Sequence, residues 1–142
     1  MPKIITKKET ETQNLAIKLA KNFKGGEVVA LNGDLGSGKT AFTKGVAKFF
    51  GITKPITSPT FVLMKIYKIA GHQNIKTMVH IDTYRLANSQ ELVDIGVLEY
   101  FGRPDTVCLV EWAEKIKDIL PKNVIQIDFS YGEKETERII EY

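Results

Sequence analysis

The chain has 142 residues, 43% of them hydrophobic and 26% charged, with a formal net charge of +3. That balance excludes a disordered, collagen-like or mucin-like chain and fits one soluble domain spanning residues 1–142. It also excludes a helical membrane span, because the longest stretch free of Asp, Glu, Lys and Arg is residues 55–64, about half of what a bilayer requires.

Residues 4–6 read as a short edge strand. Thr10 and Gln13 read as a capping box opening an amphipathic helix, with Leu15, Leu19 and Phe23 on one face beside Ala16 and Ala20. Gly25 and Gly26 end it. Residues 27–31 form a continuous apolar run, the pattern of a strand covered on both faces. Residues 41–50 read as a helix with Phe42, Val46, Phe49 and Phe50 inward and Gly51 as its stop. Pro55 and Pro59 make residues 53–60 a loop. Residues 61–69 and 77–82 are β-rich around a turn at residues 71–74, and a hairpin is one way to pair them. Residues 89–100 read as a helix capped by Asn88 or Ser89, with Leu92, Ile95 and Leu98 on one side. Residues 106–111 form a second buried strand. Residues 113–120 read as a short helix stopped by Pro121, and residues 124–129 and 136–142 as strands. Strands alternating with helices predict an α/β domain.

Between the first buried strand and the next helix lies Gly33-Asp34-Leu35-Gly36-Ser37-Gly38-Lys39-Thr40. It matches G-x-x-x-x-G-K-[ST] in the strand–loop–helix setting that the phosphate-binding loop requires. Glycines let backbone N–H groups turn inward around a phosphate, and the helix N-terminus adds its positive dipole end. Lys39 is the residue to reach the β- and γ-phosphates, and the Thr40 hydroxyl the one to sit on Mg²⁺. The expected fold is therefore P-loop NTPase-like: three layers, with a mostly parallel, mixed central sheet flanked by helices.

A nucleotide hydrolase also needs carboxylates near the metal or the attacking water. Asp82 and Glu111 each end an apolar strand, and ligands of open α/β sheets collect beyond the carboxyl ends of strands. Both are candidates, and the sequence does not say which positions water. Ser58-Pro59-Thr60 sits where nucleotide switches often order around the γ-phosphate. No N-K-x-D or D-x-x-G segment is present, which argues against a Ras-type GTPase. Arg85, Arg103 and Arg138 are the only arginines. So few suit poorly a small kinase that clamps phosphates bidentately.

The remaining residues exclude other chemistry. Cys108, the single cysteine, lies in an apolar run and reads as a core residue rather than a nucleophile. One Cys with His72 and His80 gives no zinc-ligand spacing. Residues 1–9 are polar and lysine-rich, so a cytoplasmic location is expected. The mild positive charge reads as an ordinary solvated surface rather than an RNA-binding face.

Taken together, these motifs resemble the TsaE (YjeE) family of bacterial P-loop ATPases, which act in making threonylcarbamoyladenosine in tRNA. The resemblance is carried by the phosphate-loop segment through Ala41 and Phe42, by Ser58-Pro59-Thr60-Phe61, and by His80-Ile81-Asp82-Thr83-Tyr84-Arg85-Leu86. It continues through Glu91-Leu92, Gly96 and Glu99-Tyr100, and ends with Leu109-Val110-Glu111-Trp112-Ala113-Glu114. It runs in order from about residue 12 to residue 128. It implies an ATPase with ATP and Mg²⁺ as its ligands and Lys39, Asp82 and Glu111 as its catalytic residues. Thr40, Asp82 and Glu111 are implied on the metal, and Thr12 beside the nucleotide base. Gly33, Asp34, Leu35, Gly36, Ser37, Gly38, Ala41, Thr60, Trp112 and Glu114 are implied around the rest of the nucleotide. Trp112 reads equally as a core aromatic at a strand end, while His80, Tyr84 and Arg85 fit either the nucleotide or a partner surface. The chain departs from the family pattern at Ala41, where threonine is usual, and at Ala113, where proline is usual. The resemblance further implies a partner, a complex of TsaB- and TsaD-like proteins that ATP turnover resets between cycles. Contact with tRNA would then be indirect, and no membrane is involved. A small-molecule kinase and a non-catalytic nucleotide sensor are the alternatives.

Overall fold

The structure is a computed structural model and describes residues 2–59 and 61–142. Its framework is one seven-stranded sheet in the order β1-β7-β6-β2-β5-β4-β3. The strands are β1 (Lys3–Thr6), β2 (Val28–Asn32), β3 (Met64–Lys68), β4 (Thr77–Asp82), β5 (Thr106–Glu111), β6 (Ile125–Tyr131) and β7 (Arg138–Glu141). β6, β2, β5 and β4 run parallel, whereas β3 pairs antiparallel with β4, β7 with β6, and β1 with β7. The mixed, mostly parallel sheet expected from the sequence is therefore what forms.

Its central strands are buried on both faces because side chains alternate. Val29 and Leu31 of β2 join Val107 and Leu109 of β5 in a core under α1 (Glu9–Ala20) and α2 (Lys39–Phe49). Val28, Ala30, Cys108 and Val110 face the opposite way. There they pack under Leu92 of α3 (Gln90–Asp94), Val97 and Ile116. Cys108 is a buried free thiol, and burial pushes it up to about 12. It is thus the core residue that its apolar run predicts.

Four expectations are corrected. The capping box at Thr10 does not form: α1 starts at Glu9 with Lys8 in the cap position and no side-chain cap bond. Glu11 instead accepts from the Lys7 backbone N–H at 3.0 Å, which ties the residue before the cap to the first turn. The helix expected over residues 89–100 is broken. α3 ends at Asp94, Gly96 turns left-handed at φ 92°, and Val97–Glu99 continues as a 3-10 turn. The turn buries Val97 and leaves Ile95 and Leu98 exposed. Residues 113–120 hold only a 3-10 turn over Ala113–Ile116, entered from Trp112 in a left-handed conformation, φ 60°. The strand expected over residues 61–69 is shortened to β3. Leu63, also left-handed at φ 67°, turns the chain before it.

Candidate nucleotide-binding site

The parallel pairing brings the functional candidates to one edge of the sheet. Asp82 and Glu111 are register partners at the ends of β4 and β5, and Leu31 of β2 is register partner to Glu111. The glycine-rich loop therefore leaves β2 beside both carboxylates. The loop then enters α2 through Gly38, and α2 points its N-terminal N–H groups at the same place.

The loop is held from outside. The Tyr131 hydroxyl donates to the Leu35 carbonyl, and Arg138 Nε donates to the Gly36 carbonyl at 3.1 Å. Drawing these carbonyls toward the β6–β7 hairpin leaves the loop free to present N–H groups elsewhere. Gly33 shows why a side chain is excluded: φ is 147°, and a Cβ would stand 2.5 Å from the Phe129 carbonyl oxygen and 2.7 Å from Ser37 Oγ. Sequence reading offered no signal for Tyr131 or Arg138, which lie about a hundred positions from the loop they hold.

Lys39 is buried although charged, at 4% exposure. Its ammonium donates to the Gly33 carbonyl and, at 2.8 Å, to the Asp34 carbonyl. It also sits 4.3 Å from the centroid of the Trp112 ring. Burial lowers its pKa from the ordinary 10.5, against the opposing pull of the Glu111, Glu114, Asp82 and Asp34 carboxylates. The Thr40 hydroxyl donates to both oxygens of Glu111 at 3.2 Å. Asp82 accepts from the Ser58 hydroxyl through Oδ2 and from the Tyr84 backbone N–H through Oδ1 at 2.9 Å.

These groups line a cleft of about 390 Å³ that holds Lys39, Thr40, Asp82, Glu111 and Trp112 together with Gly38 and Ala41. That volume is within the range of small-molecule sites. Trp112 is partly buried with its ring against Lys39 and Tyr84, so it borders the cleft rather than the core. Thr12 is buried, bonds the Thr6 hydroxyl at 2.8 Å, and lines an adjoining cleft with Gly36, Gly38, Ala41 and Arg138. Glu114 is not on the main cleft; it lines a separate depression with Asn32 and Lys117. Thr60 lies outside the described residues. Sequence reading missed Glu9 and Lys44, which flank the main cleft as an ion pair at 3.4 Å. Ser58, expected only as part of the Ser58-Pro59-Thr60 switch segment, lines the main cleft and bonds Asp82.

The donor set is chemically specific. Thr40, Asp82 and Glu111 offer hard oxygen ligands, which suit Mg²⁺. Among the described residues no three His, Cys, Asp or Glu side chains converge to hold an ion alone. An ion here would complete its shell with phosphate oxygens and water, as Mg²⁺ does in nucleotide sites.

The family model described as "Threonylcarbamoyl adenosine biosynthesis protein TsaE" matches residues 6–140. The chain is 44% identical over 117 residues to the tRNA threonylcarbamoyladenosine biosynthesis protein TsaE of Bacillus subtilis, covering 82% of this chain and 70% of that one. It is 43% identical over 104 residues to the Haemophilus influenzae protein of the same name, covering 73% of this chain and 63% of the relative, less than two thirds of its length. The crystal structure of Bacillus subtilis YdiB superposes with a TM-score of 0.76 at 35% identity, over 98% of this chain and 82% of the other. A match over residues 6–140, from β1 into β7 and so across the glycine-rich loop, Asp82, Glu111 and Trp112, places this chain in the TsaE family.

Proposed function

We propose that this chain is a Mg²⁺-dependent ATPase. It hydrolyses ATP to ADP and phosphate, supports threonylcarbamoyladenosine formation in tRNA, and acts on a complex of TsaB- and TsaD-like proteins. The observation that carries the reading is the junction of a buried Lys39 with a Thr40–Glu111 pair at the mouth of a glycine-rich loop. Family membership supplies the pathway.

In this reading the loop N–H groups and the α2 N-terminus bind the phosphates. Lys39 exchanges its two loop carbonyls for phosphate oxygens, so its charge moves between acceptors that are already close at hand. Thr40 and Glu111, with Asp82, would hold Mg²⁺, which when bound neutralises charge on the transferring phosphoryl group. Asp82 is tied through Ser58 to the segment that precedes β3, giving the cleft a route to outside surfaces. The output of turnover is then a conformational change delivered to partners.

Two measurements test this. Lys39→Ala is expected to lower ATP affinity and turnover by 100-fold or more, and label from γ-labelled ATP should appear as free phosphate in the wild type. Normal hydrolysis by Lys39→Ala, or label in a small-molecule acceptor, would overturn the reading. In a reconstituted system with tRNA, threonine, bicarbonate, ATP and the other pathway proteins, omitting this chain is expected to stop modification after the first turnovers. Unchanged multi-turnover yield on omission would remove the pathway role.

A further inference from the structure

The function proposed above uses Asp82 but gives no task to His80, two residues earlier on the same face of β4. His80 is wholly buried. Its neighbours along the strand, Met78, Val79 and Ile81, are buried apolar residues that fill such a position at no polar cost. An imidazole there costs free energy unless its nitrogens are paired. One is paired: Nε2 lies 2.5 Å from Glu111 Oε2, while Nδ1 has no partner among the described residues. With the ring proton on Nε2, the bond is a donation to the carboxylate oxygen. The polar contact that this buried ring makes is therefore spent on Glu111.

Glu111 is the shared acceptor of two donors with different freedom. The Thr40 hydroxyl is a rotor on the first turn of a helix and can change partner. His80 sits in the middle of a central strand, between β3 and β5, and cannot follow. We infer that His80 is a positioning residue that fixes the Glu111 carboxylate through Nε2, keeping it aimed into the cleft when Thr40 turns away. The inference rests on the reading of Glu111 as a metal-side carboxylate. Carboxylates at metals are themselves held by hydrogen bonds, and loss of such a partner costs about 10–100-fold in metal affinity or activity.

The test uses the full chain and three variants: His80→Met, of similar bulk without a donor; His80→Gln, whose amide can donate in place of Nε2; and Glu111→Gln. Calorimetry gives the affinity for a non-hydrolysable ATP analogue with Mg²⁺ and again in EDTA, and thermal unfolding reports folding. His80→Met is expected to bind the analogue as the wild type does in EDTA, yet to lose about tenfold or more of the tightening that Mg²⁺ confers. His80→Gln should recover most of it. Should His80→Met fail to fold, His80→Asn, whose amide falls short of Glu111, takes its place. Full Mg²⁺ tightening in a variant with no donor reaching Glu111 overturns the inference. So does a folded His80→Gln no better than that variant. Glu111→Gln separates the two readings: if it keeps the Mg²⁺ effect, the role of Glu111 fails and takes that of His80 with it. If it loses the effect while His80→Met does not, only the role of His80 fails.

Discussion

Lys39 is a buried cation set among carboxylates. Burial disfavours its charge, and the surrounding carboxylates and two loop carbonyls offset that penalty. Those carbonyls are available only because the loop adopts a backbone that a side chain at residue 33 would forbid. Gly33→Ala adds a methyl group 2.5 Å from a carbonyl oxygen at φ 147°. It is expected to cost about 1–3 kcal/mol of stability and to weaken nucleotide binding with it, measured by denaturant unfolding and calorimetry. Wild-type behaviour in both would mean the loop relaxes around the methyl group. The motif made this glycine legible in the sequence. The stacking of Trp112 on Lys39 was not legible, because it depends on a left-handed backbone at a non-glycine residue, which only the surrounding contacts can hold.

The packing of α1 against α2 holds the start of α2 beside the sheet edge. Gly45 faces α1 directly: a Cβ there would meet the Gln13 carbonyl oxygen at 2.5 Å and the Ala16 Cβ at 2.7 Å. Helix propensity alone makes Gly→Ala favourable by about 1 kcal/mol. Overpacking a closed interface costs about 1–3 kcal/mol, and here the obstacle is backbone. Gly45→Ala is therefore expected to lower stability in denaturant unfolding; a rise would show that the helices separate cheaply. Element types were largely legible, since apolar periodicity records which faces are buried. Element ends were less so. The break at Gly96 and the short 3-10 turn after Trp112 answer to what lies beneath them, Val97 and Ile116 in the second core. Local sequence cannot weigh that.

Across the whole molecule, stability and function divide along the sheet. β2 and β5 are paired on both sides, and β1 and β3 on one side each. Hydrogen exchange should accordingly be slowest at β2 and β5 amides and fastest at β1 and β3. Equal protection across the sheet would mean that it opens only as one unit. No helix among the described residues is long and apolar enough to cross a membrane. The phosphate-loop motif, the strand-end acids and the α/β class are legible in the chain alone, because each is written in contiguous residues or in local periodicity. Tertiary structure alone decided that Glu111 would be shared by Thr40 and His80, and that Tyr131 and Arg138 would hold the loop. Those contacts join residues 31 to 102 positions apart. Strand order and register create them, and neither is encoded in any local stretch of chain.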